Sequence, residues 1–327
     1  MAAEPIKASR QSELPRKKQS KTKQIRNAVA SVMVPALVRA LGFTMLRVNH
    51  LYGSLAGRFL WWTNSEAKRI SETNLKIAFP ELPEDEHNRL LKKSLRELGK
   101  TITELGPVWS WGEQSVKGLV RAVNGLHHVE EAQEAGRGVI MLAPHLGSWE
   151  LMGLYLSIEY GITSLYRPPR LGAIDNFTRD ARQRFGADLV PTNMSGVRAL
   201  RRALADNRMI GILPDQDPGE SGGIQAPFFG YSARTMLLVS KLAAKTKAPV
   251  IFAFAERLNK GQGYQVRYVP ASAAIASTDE NEAAAALNAD VETIIRINPA
   301  QYQWSYKRYK YTADTNENPY DSDRRAA

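Results

Sequence analysis

From about residue 124 onward, short apolar runs alternate with amphipathic segments, and this alternation limits the possible folds more than any other feature of the chain. The run "GVIMLAP" is followed by "SWELMGLYLSIEYG", and "DLVPT" is followed by "GVRALRRALADNR". Strands that alternate with helices form a largely parallel sheet covered by helices. The sequence therefore predicts an α/β fold, with "GYQVRYVP" as an added edge strand because it alternates with a period of two.

The segments around this core differ from it in pattern. Residues 64–109 are predicted to be helical, because "PEDEHNRLLKKSLRELGKTITEL" places leucines at helical spacing. "ARTMLLVSKLAAKTK" and residues 279–298 are further predicted helices. The predicted organisation is a basic flexible arm (1–26), a membrane-associating helical anchor (27–62), a main domain (63–310) divided into a helical lead-in (63–123) and an α/β core (124–310), and a disordered tail (311–327).

Positive charge is concentrated at the beginning of the chain. Residues 1–30 contain eight Lys and Arg against two Glu, a net charge of +6 out of +11 for the whole chain. Such an arm binds nucleic acid or anionic lipid by the same electrostatics. The arm is followed by residues 27–62, which are apolar, end in two tryptophans and are almost free of acids. This composition favours a membrane surface over nucleic acid as the binding partner.

A membrane-spanning helix over residues 28–46 is long enough but unfavourable. Pro35 interrupts it, and Arg39 would place a charge in hydrocarbon. A span would also put the basic arm and a cytoplasmic main domain on opposite sides of the bilayer. We therefore expect a helix lying in the inner leaflet, with a soluble helix packed on the main domain as the alternative.

The chain has no cysteine, which excludes disulfides, thiolate nucleophiles and cysteine metal sites. Phosphate-loop and dinucleotide-binding motifs are also missing from the sequence. The candidate chemistry therefore rests on other residue types.

His145 and Glu150 are the ionisable residues of the apolar stretch "VIMLAPHLGSWELMGLYL". His145 follows a predicted strand, and Ser148 is a suitable N-cap for a helix whose first turn contains Glu150. A first-turn glutamate is favoured in its ionised form, and it could orient the imidazole so that the other ring nitrogen acts as a general base. The alternative without a catalytic role is a surface or capping histidine, beside a glutamate that is stabilised by the helix dipole.

"HLGSWE" is an instance of the HX4(D/E) motif, and from this motif the chain resembles the lysophospholipid acyltransferase superfamily. It is most similar to the bacterial lipid A biosynthesis acyltransferases that add secondary lauroyl or myristoyl chains. The resemblance covers about residues 27–310 and implies a glycerol-3-phosphate acyltransferase-like fold. It rests on ordered blocks: "NLKIAFPEL" (74–82), "HLGSWE" (145–150), "LYRPPR" (165–170), "LPDQDPG" (213–219), "APFFG" (226–230) and "NPAQYQWSYKRYK" (298–310).

The block "LYRPPR" contains Arg167 and Arg170 as candidates. Two prolines hold Arg167 in a stiff turn, from which it would clamp a phosphate or stabilise the oxyanion of acyl transfer. The resemblance implies an important arginine at position 167 and includes Arg170 in substrate binding. A simple ion pair with a neighbouring carboxylate is the alternative for Arg167.

Asp215, Gln216 and Asp217 follow the predicted strand "MIGILPD" and are candidate substrate-site residues. No further ligand cluster accompanies the two carboxylates, and the family resemblance implies neither a metal nor a cofactor. Asp215 is expected to orient Arg167 or another site residue, with a purely architectural role equally open.

Two aromatic blocks complete the candidates. Phe228 and Phe229 of "APFFG" would line an acyl-chain groove or belong to an ordinary core loop. Lys307 and Arg308 lie among aromatics and are expected to face phosphate or the membrane interface. Family members often have a histidine before this basic pair, whereas Tyr306 occupies that position here.

The resemblance implies acyl transfer from an acyl carrier protein thioester to a hydroxyl of a lipid A precursor, at the cytoplasmic face of the inner membrane. His145 would act as the base, Glu150 as its orienter, and backbone N–H groups near the helix start as the oxyanion site. Two alternatives stay open: acylation of another lipid, such as a glycerolipid, an aminolipid or a glycosylated phosphoinositide, and a basic peripheral membrane protein without catalysis.

Overall fold

The computed structural model describes residues 21–169, 172–311 and 318–321. Its α-helices are α1 (Lys21–Gly42), α2 (Leu46–Trp62), α3 (Glu66–Ala78), α4 (Glu84–Thr103), α5 (Leu105–Ser110), α6 (Glu113–Lys117), α7 (Leu126–Glu134), α8 (Trp149–Tyr160), α9 (Asp175–Gln183), α10 (Met194–Ala205), α11 (Leu238–Thr246) and α12 (Glu280–Ile297). Its strands are β1 (Val120–Asn124), β2 (Val139–Leu142), β3 (Thr163–Tyr166), β4 (Asp188–Pro191), β5 (Met209–Ile212), β6 (Gly223–Phe228), β7 (Tyr231–Met236), β8 (Val250–Arg257) and β9 (Tyr264–Pro270).

The central sheet has the strand order β1-β9-β8-β2-β5-β3-β4 within the described residues. The five strands from β8 to β4 are parallel, which confirms the predicted α/β fold with a largely parallel sheet. β9 is the strand predicted from "GYQVRYVP", and it runs antiparallel to β8. It lies one position in from the edge, because β1 pairs with its other side.

Apolar side chains cover both faces of the sheet. On β2, Ile140 and Leu142 point to one face, where they pack with α3, α4, α10, α11 and α12. Val139 and Met141 point to the other face and pack with α7 and α8. Because neighbouring parallel strands are buried on both faces, they are continuous apolar runs in the sequence.

The predicted helix "ARTMLLVSKLAAKTK" is wrong in its first part. β6 and β7 form a separate antiparallel hairpin, and α11 begins only at Leu238. The two residues of the hairpin turn, Phe229 and Gly230, both have positive φ, 49° and 73°. Tight hairpins favour this geometry, but it is uncommon for a phenylalanine, and the "FG" turn therefore lacks the usual Asn-Gly signal.

Helices α1 and α2 expose a large apolar surface. Phe43, in the connection between them, is 92% exposed, and Trp62 at the end of α2 is 85% exposed. The surface also includes Val32, Leu37, Leu55 and Phe59. Within the described residues, no helix combines the length and apolar composition that crossing a bilayer requires.

The inner face of α2 packs closely on α4. A Cβ at Gly53 would lie 2.5 Å from the Cα of Lys100, and a Cβ at Gly57 would lie 2.2 Å from the carbonyl oxygen of Leu95. These glycines let the two backbones touch, so α2 is held firmly while its outer face stays open.

Part of the tail predicted to be disordered is ordered. Residues 318–321 are described, and Tyr320 is buried. Its hydroxyl donates to Asn74 Oδ1 at 2.5 Å and accepts from the backbone N–H of Tyr309 at 3.1 Å. One aromatic side chain thus ties residues 318–321 to α3.

Candidate active site

His145 and Asp215 meet because β2 and β5 are parallel neighbours in register. Leu142 pairs with Ile212, and each candidate lies three residues after its own strand residue of this pair. The imidazole Nδ1 is 2.9 Å from Asp215 Oδ1. The backbone N–H of His145 donates to Asp215 Oδ2, also at 2.9 Å. One carboxylate therefore holds both the ring and the backbone of the histidine.

The surroundings of Asp215 keep it ionised. Burial alone would raise its pKa, but the charge of His145 and hydrogen bonds from its ring and backbone outweigh burial and hold the pKa below its ordinary value. A carboxylate on Nδ1 selects the tautomer with the proton there, which leaves Nε2 as the basic nitrogen. The Nε2 atom faces the side-chain nitrogen of Gln216 at 3.1 Å.

Glu150 has a different partner from the one predicted, since the carboxylate in contact with the imidazole is that of Asp215. The Glu150 carboxylate forms a two-pronged ion pair with Arg182, with Nε donating to Oε2 at 3.0 Å and Nη2 donating to Oε1. The indole N–H of Trp109 donates to Oε2 at 3.2 Å. Burial favours a higher pKa for Glu150, but Arg182 and Trp109 outweigh it and lower the pKa.

The backbone between β2 and α8 is held by its neighbours. The N–H of Gly147 donates to the carbonyl of Gln301 at 3.1 Å, and that of Ser148 donates to the carbonyl of Ala255 at 2.8 Å. The N–H of Leu146 bonds within the turn, to Pro144. Since these N–H groups and that of His145 are engaged, the predicted oxyanion site is restricted to the first amides of α8, which have no acceptor inside the helix.

An apolar cavity of about 100 Å³ lies beside this turn. Trp149 connects it to the site, because the indole lines the cavity and its ring lies 5.0 Å from the imidazole, centroid to centroid. Glu150 and Arg182 form part of the wall. The apolar lining includes Leu154, Ile162, Leu165, Leu189, Ile212 and Leu213. The cavity has the chemistry of a site for a hydrocarbon chain.

Arg167 follows β3 and its side chain is exposed. No ion pair or hydrogen bond joins it to another residue in the described part of the chain, so the simple ion pair is not supported there. Arg170 lies outside the described residues.

Asp217 lies in the loop after β5, and its side chain is 4% exposed. Its backbone N–H donates to the hydroxyl of Tyr306 at 3.1 Å. Its carboxylate lies 3.3 Å from Lys310 Nζ and 3.8 Å from Arg234 Nη1. Tyr306, at the position where histidine is frequent in the family, therefore supports the backbone of the loop that carries Asp215.

Arg308 is a correction to the predicted substrate contacts. It is buried, and its guanidinium donates to the carbonyl of Arg234 at 2.5 Å and to Thr235 Oγ1 at 3.0 Å. Lys307 is half-exposed and forms an ion pair with Glu66 at 2.7 Å. Of the predicted basic pair, only Lys307 is open to a ligand.

Phe228 and Phe229 belong to the core and not to a groove. Phe228 packs against Tyr309, and Phe229 packs against Phe79 and Trp304. Neither phenylalanine is among the residues that line the apolar cavity beside His145.

The site thus combines a histidine and its carboxylate partner with a neighbouring apolar cavity. A family model described as bacterial lipid A biosynthesis acyltransferase matches residues 15–311. The chain belongs to this family. The resemblance found in the sequence blocks is thereby confirmed.

Relatives of known activity agree with the family. The lipid A biosynthesis palmitoleoyltransferase of Escherichia coli (strain K12) is 28% identical over 262 residues, 79% of this chain and 82% of that protein. The lipid A biosynthesis lauroyltransferase of the same organism is 24% identical over 259 residues, again 79% and 82%. A phosphatidylinositol mannoside acyltransferase of Mycobacterium tuberculosis (strain ATCC 25618 / H37Rv) is 29% identical over 154 residues, 45% of this chain and 48% of that protein.

Sequence reasoning missed three residues of this acyltransferase-family site. Trp109 and Arg182 hold Glu150, and Gln303 lies 3.4 Å from Gln216 through its side-chain oxygen. No local motif marks them. A signal for the His145–Asp215 contact did exist, since "VIMLAPH" and "MIGILPD" have the same length and the same proline position.

Proposed function

We propose that the protein is a membrane-associated acyltransferase that moves a fatty acyl chain from an acyl carrier protein thioester to a hydroxyl of a lipid A precursor. The observation that carries the proposal is the His145–Asp215 pair, 2.9 Å apart, beside an apolar cavity. Family membership supports the acyl transfer and the lipid A-type acceptor. The proposal that acyl carrier protein is the acyl donor rests on the family resemblance alone.

In the proposed reaction His145 Nε2 is the general base. The acceptor hydroxyl replaces the Gln216 amide at Nε2 and gives up its proton there, while its oxygen bonds to the thioester carbonyl carbon. The tetrahedral intermediate then collapses, the C–S bond breaks, and the departing sulfur takes the proton from the imidazolium. The ring returns to its neutral form, and no acyl-enzyme is needed.

Asp215 stabilises the imidazolium that forms in this step and keeps the ring in the required tautomer. The first-turn amides of α8 and the exposed guanidinium of Arg167 are the proposed donors to the oxyanion. The acyl chain lies in the cavity lined by α8, β3 and β5. Glu150 and Arg182 serve to shape its wall.

The open apolar surface of α1 and α2 supports association with the membrane. α2 packs on the turn at 259–261, which follows β8, and α1 packs near residues 172–174, which follow β3. Both contacts lie at the carboxyl ends of parallel strands, the same sheet edge as His145. An amphipathic docking of this kind brings the site to the cytoplasmic surface of the inner membrane.

The chemistry is tested with purified protein in detergent, an acyl carrier protein thioester and a lipid A precursor, followed by mass spectrometry of the lipid. We expect His145→Ala to abolish transfer. His127→Ala, at an exposed histidine on α7, is the matched control and should keep wild-type activity. Acyl transfer by the His145→Ala variant would contradict the proposed mechanism.

Membrane association is tested by flotation with phosphatidylethanolamine and phosphatidylglycerol vesicles. Leu37→Glu and Phe59→Glu should each reduce the bound fraction. Ile297→Glu, at an exposed apolar residue that ends α12, is the matched control. Equal binding of all variants would contradict docking through α1 and α2.

A further inference from the structure

A buried cluster of ionisable groups lies behind the turn that carries His145, and the proposed mechanism does not use it. Arg257, at the end of β8, donates from Nε to Glu104 Oε2 at 2.8 Å and from Nη2 to Glu104 Oε1 at 2.6 Å. The hydroxyl of Tyr264 donates to Glu104 Oε2 at 2.8 Å, and His50 Nε2 lies 3.2 Å from the same oxygen. All four side chains are buried.

Fold stability alone does not explain why this cluster of charged side chains is buried. Burying a charged pair costs desolvation free energy, and well-packed apolar residues of similar volume are often at least as stable. The pair is fully ionised: burial would favour the neutral forms, but each charge stabilises the other, so that the pKa of Glu104 is lowered and that of Arg257 is raised. The cluster therefore keeps a rigid cation at a defined place.

The place of that cation is the His145 turn. Arg257 Nη2 also donates to the carbonyl oxygen of Gly147 at 2.9 Å. Gly147 has φ of 61°, and a Cβ there would lie 2.1 Å from the carbonyl oxygen of Ala255, so the turn is pressed against β8. The backbone N–H of Arg257 donates to Gln301 Oε1 at 2.8 Å, and the carbonyl of Gln301 accepts from Gly147.

We propose that Arg257, held by Glu104, is a positioning residue for acyl transfer: by binding the Gly147 carbonyl it fixes the turn on which His145 meets Asp215. The inference rests on the proposed role of His145 as the base. The backbone bond from Ser148 to Ala255 keeps the turn attached to β8, and the bond from Gly147 keeps it attached to Gln301, without the guanidinium. Loss of the Arg257 contact therefore shifts the imidazole and leaves the fold in place.

The planar fork of arginine is essential to this role. Its Nε N–H and one N–H of Nη2 face the Glu104 carboxylate, and the second N–H of Nη2 is directed toward the Gly147 carbonyl and Thr101 Oγ1, the latter at 2.7 Å. A lysine ammonium is a single point of charge and cannot cover both the carboxylate and the carbonyl with the same geometry. Arg257→Lys thus keeps the buried charge and removes the positioning.

The test compares Arg257→Lys with Arg267→Lys. The control makes the same substitution in an arginine–carboxylate pair on the adjacent strand, where Arg267 Nε lies 2.9 Å from Glu256 Oε2 and Nη2 lies 3.4 Å from Gln265 Oε1. We expect Arg257→Lys to lower kcat about tenfold or more while KM for the acyl thioester stays unchanged, since a small displacement of a reacting group is costly. Arg267→Lys should leave both constants near wild type.

A second readout does not depend on activity. The Nδ1 proton between His145 and Asp215 should give a downfield ¹H NMR signal, assigned by its loss in His145→Ala. It should shift or broaden in Arg257→Lys and stay in place in Arg267→Lys. If Arg257→Lys does not fold, Thr101→Val and Glu104→Gln replace it, and both should move the signal in the same way.

The outcomes separate this inference from the proposed function. Wild-type kcat together with an unmoved signal in folded Arg257→Lys overturns the positioning role. A wild-type protein that transfers no acyl chain overturns the proposed function, while the NMR comparison still decides whether Arg257 sets the imidazole.

Discussion

Asp215 and Glu150 are carboxylates beside the His145 turn, the first buried and the second 10% exposed in its side chain, and they have different partners. Asp215 comes from a neighbouring strand, 70 residues away in sequence, and holds the imidazole. Glu150 is five residues from His145 and holds Arg182 and Trp109. The comparison teaches that strand register, and not closeness along the chain, decides which acid contacts the imidazole.

The largest expected effect comes from Asp215→Asn. The amide has the same shape, but it donates to Nδ1 and favours the tautomer with its proton on Nε2, so the base is lost. We expect kcat to fall by about 10³–10⁴, the scale seen when a histidine base loses its carboxylate partner. Steady-state kinetics and a melting curve measure this. Activity within tenfold of wild type would remove the distinction between the two carboxylates.

Glu150→Gln should act mainly on stability. It leaves Arg182 without its partner, and we expect a loss of about 1–3 kcal/mol in the free energy of unfolding. The expected loss lies between those measured for surface and for buried ion pairs, because the Arg182 side chain is 36% exposed. Urea denaturation measures the loss, and kcat should fall far less than in Asp215→Asn. The reverse order of kcat losses would restore Glu150 as the orienter.

The stabilising effect of Glu150 should depend on pH. Its pKa is lower in the folded protein than the value of about 4.3 expected in the unfolded chain, so its contribution is present above that pH. It is lost as pH falls through the lowered folded pKa. The difference in unfolding free energy between wild type and Glu150→Gln should therefore shrink in acid. Urea titrations at neutral and acidic pH check this, and a constant difference would contradict it.

The smallest expected effect is a change in acyl-chain preference when the apolar cavity lined by Glu150 is partly filled. Gly153 lines it, and a Cβ there meets open space. Gly153→Leu should fill part of the cavity and shift the preference toward shorter acyl chains, by about tenfold in relative kcat/KM. Gly112→Leu, at an exposed glycine outside the cavity, is the control. An unchanged chain preference would place the acyl chain elsewhere.

Local patterns were sufficient to predict much of the fold. The apolar runs at 139–142 and 209–212 predicted buried parallel strands, because strands covered on both faces need apolar residues throughout. The hairpin β6–β7 was not predicted, since its turn uses Phe229 at positive φ and its strands mix polar and apolar residues. Tyr320 is a similar case, because an isolated tyrosine among polar residues gives no periodic signal.

Some residues of the candidate site could likewise be predicted from local sequence, and others could not. His145 was predicted from a motif whose strand end and helix start lie next to each other in the chain. Arg308 was expected at the substrate because it is basic and lies among aromatics, but its hydrogen bonds to Thr235 and to the Arg234 carbonyl place it inside. Charge in a sequence does not tell which side of the surface a long side chain occupies.

The sequence by itself determined the α/β alternation, the acyltransferase family and the histidine at the end of β2. These depend on short-range order, which a linear pattern contains. Only the tertiary structure decided that Asp215 contacts the His145 imidazole, that Glu150 binds Arg182, and that Arg257 reaches the Gly147 carbonyl. Each of these contacts joins separate elements, and the register and packing of the sheet bring them together only once the chain has folded.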